Sequence, residues 1–242
     1  MSNIWHAKDS ILNINYNNYN YCIQNTNDPS TEGCISEIVH GNEYKLDNFS
    51  NIKNVTFIDI GANCGIATII LAKQNPESIV LSFEPDKKIF EFLSNNVKLN
   101  NLSNVILHNK AVSKNGINSI NLYMHNYYSG ANTTYSDPDT FKKSFGESNI
   151  NIYKVDCISL DEIIDNYNIE SIELLKIDCE GAEYDILYNS TYFTNNIVKN
   201  IVGEFHDLHY NTQIETTNNN GEELIKYCEK YTNIVNLNVL KL

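Results

Sequence analysis

Short apolar runs alternate with longer segments of helical periodicity through the middle of the chain. The runs VTFIDI, SIVLSFE and VILHNKAV, which begin at Val55, Ser78 and Val105, are typical of buried strands. The segments between them, CGIATIILAKQ and PDKKIFEFLSNNVKLNN, predict helices, and the second opens with Pro85, which suits a first helical turn. Nearly continuous apolar strands that alternate with helices predict a parallel sheet covered on both faces.

The stretch from about residue 113 to 160 interrupts this alternation. INSINLYMH and INIYKVDCISL alternate apolar and polar residues, and a long polar segment separates them. We predict an inserted β-hairpin whose loop, Tyr127 to Gly146, helps to form a substrate pocket through Tyr128 and Asn132; a solvated connector is the alternative. Beyond it, SLDEIIDNYNI predicts a helix capped by Ser159.

The last third of the chain returns to strands and helices. IELLKID and NIVGEF predict two more buried strands with a helix, CEGAEYDILYNST, between them. GEELIKYCEKY and NIVNLNVLKL predict a final helix and strand. Residues 1–50 are polar and weakly patterned, and we expect an extension or lid on the domain formed by residues 51–242. Within it, Ser30 and Thr31 are expected to cap a short helix that Gly41 ends.

Composition limits the classes of partner. The 242 residues are 42% hydrophobic, which predicts one sizeable core, and their formal net charge is −13 without a single arginine. Such a surface repels phosphate backbones, so we expect no nucleic-acid partner. Six scattered cysteines are expected to be reduced thiols of a cytoplasmic protein, and neither a signal peptide nor a membrane span is expected. The sequence does not indicate an oligomeric state.

The segment FIDIGANCG, from Phe57 to Gly65, predicts a nucleoside-type cofactor. Asn63 and Ile66 stand where a dinucleotide fingerprint needs glycines, so a phosphate cradle is not supported. S-adenosylmethionine has no phosphate, and Asp59 suits its positive end, directly or through water. Glu84, at the end of the next strand, can accept hydrogen bonds from both ribose hydroxyls.

FIDIGANCG, SFEPD, NKAVS, SLDEII and LLKIDCEGAEYDIL, in this order, resemble the FkbM family of S-adenosylmethionine-dependent O-methyltransferases from about Val55 to Phe205. The resemblance implies the α/β class I methyltransferase (Rossmann-like) fold. It also implies a set of cofactor-binding residues: Asp59, Gly61, Ala62, Asn63, Gly65, Glu84, Pro85, Ala111, Val112 and Asp178. Folds of this class usually finish with two antiparallel strands, whereas the tail after Tyr231 has clear room for only one.

Acids and a histidine follow the fourth and fifth parallel strands, where ligands bind in open sheets. Three catalytic residues are predicted, namely His206, Asp178 and Glu180, with His206 as general base and Asp178 as the alternative base or the group that orients it. Alternatively, Asp178 and Glu204 hold Mg²⁺ with help from Glu180 or His206. Glu204 joins Tyr128 and Asn132 in contacting the acceptor. Glu183 is expected to be an ordinary first-turn acid, and His209 a bystander.

We therefore expect a cytoplasmic S-adenosylmethionine-dependent O-methyltransferase that acts on a sugar hydroxyl, in a nucleotide sugar or in a surface glycan such as a capsular polysaccharide. A methyltransferase for another small metabolite, such as a polyketide or a phosphorylated capsule precursor, is the closest alternative. A cofactor-binding module without catalysis is a second alternative, and a nicotinamide oxidoreductase is a more distant one.

Overall fold

The computed structural model describes residues 10–26, 29–134, 149–207 and 220–241. Its strands are β1 (Ile11–Tyr16), β2 (Tyr19–Gln24), β3 (Thr56–Ile60), β4 (Ile79–Phe83), β5 (Val105–His108), β6 (Ala111–Ser113), β7 (Ser119–His125), β8 (Ile150–Ser159), β9 (Ile172–Ile177), β10 (Asn200–Asp207) and β11 (Asn233–Lys241). Its helices are α1 (Ser30–Cys34, which continues as a π-helix over Ile35–His40), α2 (Ile66–Gln74), α3 (Lys87–Leu99), α4 (Leu160–Tyr167), α5 (Glu183–Asn189), α6 (Thr191–Thr194) and α7 (Gly221–Cys228). Single 3₁₀ turns cover Leu46–Phe49 and Ser129–Ala131.

Six strands form the central sheet in the order β11-β10-β9-β3-β4-β5, and every neighbouring pair is parallel. This confirms the predicted α/β class with a parallel sheet. The chain moves outward from β3 to β5 and then returns to β9 on the other side of β3. The strand order therefore reverses between β3 and β9, which is where open α/β sheets bind their ligands.

The strands are apolar almost throughout because both faces of the sheet are covered. Phe57, Val80 and Leu174 belong to one buried cluster with α2 and the N-terminal segment. Their sequence neighbours Ile58 and Leu81 point the other way and pack in a second cluster with α4, α5 and α7. Successive side chains of a strand face opposite sides, so a strand buried on both sides has no polar face.

The N-terminal segment is built into the core more tightly than its polar composition predicts. Strands β1 and β2 form an antiparallel hairpin that the sequence pattern did not predict, and Tyr21, Ile23 and Tyr44 are buried against the α2 side of the sheet. The predicted caps are wrong: Ser30 and Thr31 lie inside α1, whose N-cap is Pro29. The helical segment does end before Gly41. The domain boundary at residue 50 stays a prediction.

The predicted third strand, Val105 to Val112, is divided in two. β5 stays in the central sheet, whereas β6 pairs in parallel with β8 in a separate three-stranded sheet. The division follows from Asn109, whose side-chain amide donates to the carbonyl oxygens of Glu84 (2.9 Å) and Pro85 (3.0 Å) and turns the chain away. β7 and β8 pair antiparallel, which confirms the inserted hairpin.

The last third of the chain differs from the prediction in where one helix begins and in how the last strand pairs. The helix predicted from Cys179 begins only at Glu183, because Glu180 and Gly181 adopt left-handed conformations (φ 54° and 104°) that no helix continues. The last strand, β11, pairs in parallel with β10, so the described part of the central sheet contains no antiparallel strand. The predicted cap of α4 is confirmed as a capping box between Ser159 and Glu162. The six cysteines, all within the described residues, form no disulfide with one another.

Candidate active site

A cavity opens at the carboxyl ends of β3, β4, β9 and β10, beside the point where the strand order reverses. The N-terminal segment and the chain after β7 form its remaining walls. Of the residues predicted to bind cofactor, acceptor or proton, those that line the cavity are Gly61, Ala62, Asn63, Glu84, Pro85, Ala111, Val112, Tyr128, Asn132, Asp178, Glu180 and Glu204. Asp59, Gly65 and His206 are not part of its lining.

The turn after β3 needs glycine for a steric reason. Gly61 has φ 74°, and a Cβ built on it would lie 1.8 Å from the carbonyl oxygen of Asp178. The backbone N–H groups of Gly61 and Ala62 both donate to Phe83 O, at 3.1 and 3.0 Å. The turn is therefore held between the ends of β4 and β9. Gly65 begins α2 at φ 94°, where a Cβ would overlap Leu93, so its role is in packing.

Glu84 lies where a ribose would need an acceptor. Its Oε2 accepts the backbone N–H of Asn63 (2.9 Å) and its Oε1 accepts that of Asp86 (2.8 Å). The side chain is buried but lines the cavity, and burial raises the pKa of Glu84 to about 8. Each oxygen keeps a lone pair for a hydroxyl donor, and the adjacent wall contains Phe83, Ala111 and Val112. The residues present therefore fit an adenosine-type cofactor.

Asp59 lies behind the cavity wall. It is in register with Ser82 on β4 and with Lys176 on β9, so the three side chains form a row on the α2 side of the sheet. Its Oδ2 accepts from Thr68 Oγ1 (2.6 Å), and its Oδ1 lies 3.3 Å from Lys176 Nζ. Asp59 is fully buried, and it acts on the cavity through Lys176.

Lys176 is a site residue that the sequence pattern did not single out. Its Nζ donates to Gly61 O (2.7 Å) and lies 3.8 Å from Asp178 Oδ2. Burial alone lowers the pKa of this amine, but the carboxylates of Asp59 and Asp178 outweigh burial and raise the pKa above its usual value. Lys176 is therefore a fixed positive charge. The sequence does contain a signal that could have identified it, namely a lone lysine within the apolar run LLKID.

Acids from β9, α5 and the intervening turn surround His206, as the sequence predicts. His206 Nδ1 donates to Glu183 Oε1 (3.1 Å), and His206 Nε2 lies 3.4 Å from Glu180 Oε2. The prediction for Glu183 is wrong: it is fully buried, and the same Oε1 also accepts the backbone N–H of Cys179 (2.9 Å). Asp178 Oδ2 accepts from Tyr44 Oη (2.8 Å), which comes from the N-terminal segment.

The charges of this cluster argue against His206 as the general base that the sequence predicts. Burial alone lowers the pKa of His206, but Glu183 and Glu180 outweigh it and raise the pKa to about 10, so the imidazole carries its proton at neutral pH. Burial raises the pKa of Glu180 to about 8 and that of Glu204 to about 7. Glu180 is also held in a left-handed backbone conformation, and its carbonyl oxygen accepts a hydrogen bond from Thr133 Oγ1. Strained, pKa-shifted acids are typical of functional sites.

The described residues contain a candidate group of metal ligands that differs from the predicted pair. Among the described residues, one group of metal-ligating atoms lies within 4.8 Å of one another, and it contains Asp178, Glu183 and His206 without Glu204. Glu183 and His206 in that group already form an ion pair. The Mg²⁺ site at Asp178 and Glu204 stays a prediction.

The three predicted acceptor residues all line the cavity. The amide of Asn132 is engaged at both ends: its Nδ2 donates to Asp86 Oδ2 (2.9 Å) and its Oδ1 accepts from His125 N (3.0 Å). Asn132 therefore also shapes the wall near Glu84. Tyr128 is partly exposed at the mouth, where Ser30 Oγ binds both Ser129 Oγ and Gly130 N at 2.9 Å. Residues 135–146, the remainder of the predicted loop, and His209 lie outside the described residues.

A parallel sheet with a glycine turn after β3, an acid at the end of β4 and a cavity at the switch point defines the class I methyltransferase type of α/β domain. The Methyltransferase FkbM domain model matches residues 59–235. The chain therefore belongs to the FkbM methyltransferase family, whose members are S-adenosylmethionine-dependent.

Two curated relatives are methyltransferases by name. The chain is 28% identical over 160 residues to Methyltransferase 1 of Beauveria bassiana (strain ARSEF 2860), a match that covers 62% of this chain and 64% of that protein. It is 27% identical over 175 residues to Methyltransferase sdnD of Sordaria araneosa, covering 62% of this chain and 66% of that protein. The matches thus span just under two thirds of each relative's length.

Solved structures resemble the chain only loosely. M. jannaschii TYW2 in complex with AdoMet aligns at 15% identity with a TM-score of 0.31, over 64% of this chain and 88% of that one. Trm5b from Pyrococcus abyssi aligns at 14% identity with a TM-score of 0.28, over 62% and 56%. Likeness at this level adds nothing to the assignment. In the part of the chain that the structure describes, no helix has the length and apolar character needed to cross a membrane.

Proposed function

We propose that this chain is an S-adenosylmethionine-dependent O-methyltransferase that acts on a hydroxyl of a sugar or a related polyol. The observation that carries the proposal is a single cavity whose two ends differ in chemistry. Glu84 and the Gly61 turn suit a nucleoside at one end, and Asp178, Glu180 and Glu204 present carboxylates at the other. Carboxylates are acceptors for hydroxyl groups and for the proton that a methylated hydroxyl gives up.

At the cofactor end, each residue has a specific task. Glu84 would accept hydrogen bonds from the ribose hydroxyls, Ala111 and Val112 would lie beside the adenine, and the glycine turn would let the backbone approach the cofactor. S-adenosylmethionine, when bound, supplies a methyl group activated by its sulfonium. Asp178 and the buried Lys176–Asp59 pair set the charge where the positive methionine portion would lie.

At the acceptor end, Glu180 is the general base that the geometry favours. It lines the cavity, and a pKa of about 8 places it near the pH of the reaction, which is where a general base is most effective. Glu180 would accept the proton that the acceptor hydroxyl gives up when it is methylated. His206 carries a proton already and acts as the cation that positions Glu180 and Glu183.

The finer assignments rest on this same arrangement. A sugar acceptor suits the exposed ring of Tyr128, whose apolar face can cover C–H surfaces. Nucleotide sugars, surface glycans and the other small metabolites all carry hydroxyl groups, so the hydroxyl alone does not choose between them. A divalent cation at Asp178 and Glu204 would lower the pKa of a bound hydroxyl, and removal of metal with a chelator tests that variant of the mechanism directly.

Two substitutions test the proposal at its two ends. Glu84→Ala removes both ribose acceptors and should weaken S-adenosylhomocysteine binding by about 1–3 kcal/mol in calorimetry. Glu180→Gln should leave that affinity nearly unchanged but lower transfer of the radiolabelled methyl group to sugar acceptors by about 100-fold or more. Glu77→Gln, at an exposed surface ion pair, is the matched control and should change neither quantity. Unchanged cofactor affinity in Glu84→Ala would contradict the assignment.

A further inference from the structure

Negative charge exceeds positive charge in the cavity. Five carboxylates line it: Glu37, Glu84, Asp178, Glu180 and Glu204. The lysines of its lining are Lys110 and Lys176. Lys110 precedes Ala111 at the adenine end, and Lys176 is already paired with Asp59 and Asp178. The chain contains no arginine that could add a cation.

Two of these carboxylates, Glu37 and Glu204, have no side-chain partner among the described residues; Glu37 is exposed, whereas Glu204 is buried. It comes from β10, its residue is only 8% exposed, and it lines the cavity. Neither a hydrogen bond nor an ion pair to its side chain occurs within residues 10–26, 29–134, 149–207 and 220–241. Asp178, Glu37 and Glu43 act on Glu204 with the same sign, and the one opposing charge, His206, is already paired with Glu180 and Glu183. The oxygens of Glu204 are not enclosed by protein but face the cavity, so a ligand group there can complete the carboxylate.

The cofactor does not complete this group. The proposed cofactor contacts are Glu84, which follows β4, and the glycine turn, which follows β3. Glu204 is on β10, two strands from β3 and on the far side of β9. S-adenosylmethionine carries one net positive charge, which Asp178 is placed to meet next to the turn. A metal ion is disfavoured as well, because in the described residues Glu204 belongs to no group of three or more potential metal ligands.

Building on the proposed function, we propose that the acceptor carries an ammonium group beside its hydroxyls, as an amino sugar or an amine-bearing polyol does, and that Glu204 binds this ammonium. Phosphorylated acceptors, including nucleotide sugars, are excluded because their charge would meet carboxylates without a free cation to balance it. Glu204 therefore selects the acceptor, while Glu180 remains the base.

The test measures acceptor binding rather than turnover. Protein saturated with S-adenosylhomocysteine is titrated calorimetrically with four matched probes: glucosamine, N-acetylglucosamine, glucose and glucose 6-phosphate. Glucosamine should bind at least about tenfold more tightly than N-acetylglucosamine or glucose, because a buried hydrogen bond between charged groups is worth this much or more. Glucose 6-phosphate should not bind. Glu204→Gln should abolish the preference for glucosamine, whereas Glu223→Gln, exposed on α7, should retain it.

The outcomes separate the two proposals. If S-adenosylhomocysteine itself does not bind, the proposed function fails before the acceptor is considered. If S-adenosylhomocysteine binds but glucosamine binds no more tightly than N-acetylglucosamine, only the ammonium proposal fails. It also fails if none of the four probes binds. Binding of glucose 6-phosphate as tight as that of glucosamine also overturns it, as does a preference that survives Glu204→Gln.

Discussion

The two ends of the cavity are built in different ways. At the cofactor end, contacts between segments close in sequence involve the backbone, as where the backbone N–H of Asn63 donates to Glu84 Oε2, 21 residues away. At the acceptor end, they join side chains from distant segments, such as Tyr44 to Asp178, 134 residues apart. The first end depends on chain conformation and the second on a balance of charges.

This difference predicts how each end responds to change. Backbone geometry held by glycine tolerates no added atom, so a small substitution there has a large structural effect. A network of charged side chains can lose one member and still fold, but its electrostatics shift. The following experiments test whether the two ends can be disturbed separately.

The largest effect is expected at the one place where the ends touch. Gly61→Ala should destabilise the fold by about 3 kcal/mol or more, because its Cβ would lie 1.8 Å from Asp178 O at a φ of 74°. Both S-adenosylhomocysteine binding and methyl transfer should be lost. Urea unfolding measures the first effect and calorimetry the second.

Gly116→Ala is the matched control for Gly61→Ala. Gly116 also has a positive φ (82°), but nothing lies within 4 Å of the position that a Cβ would take, so only the conformational cost of about 1 kcal/mol should appear. Equal losses of stability in the two variants would show that the contact with Asp178 is unimportant.

A smaller effect, expressed mainly at the acceptor end, is expected for Tyr44→Phe. Removal of the hydroxyl that donates to Asp178 should cost about 2 kcal/mol of stability, since hydrogen bonds to charged groups are worth more than neutral ones. The rate of methyl transfer should fall more than the affinity for S-adenosylhomocysteine. Tyr16→Phe removes a neutral bond to Asn42 in the same segment and should cost only about 1 kcal/mol without a kinetic effect. A parallel loss of cofactor affinity in Tyr44→Phe would show that the ends are not separate.

The smallest effect concerns the cofactor end and its pH dependence. The pKa of Glu84 is raised to about 8 by burial, and ribose hydroxyls that donate to the carboxylate favour its ionised form. The pKa should therefore fall on binding, and the affinity for S-adenosylhomocysteine should rise about tenfold between pH 7 and pH 9, because the cost of deprotonation disappears as the pH passes 8. Glu84→Gln should remove this component when calorimetric affinities are compared across the range. A pH profile identical in the variant would assign the titration to another group.

Most of the cofactor end could be predicted from the sequence because its information is local. Apolar runs set β3 and β4, and Gly61 and Glu84 directly follow or end them. In a parallel sheet, the ends of neighbouring strands lie side by side, so the meeting of the Gly61 turn with Glu84 follows from the order of elements. The inserted hairpin and the capping box of α4 were equally local.

Partner choice within the sheet required the tertiary structure. Asp59 was predicted to contact the cofactor, but its side chain points to the α2 side of β3, where the register brings it beside Lys176. Periodicity shows which residues share a face of a strand but not which strands are neighbours. The same limit concealed the hairpin β1–β2, whose polar residues carry little periodic signal.

The sequence by itself determined the parallel α/β sheet, the glycine turn and the group of acids at the ends of β9 and β10. Only the tertiary structure decided what those acids do: Glu183 is fully buried against a protonated His206, Tyr44 binds Asp178 from the N-terminal segment, and Glu204 has no partner among the described residues. The physical reason is that protonation and pairing depend on burial and on the sum of nearby charges, which come from segments far apart in the chain.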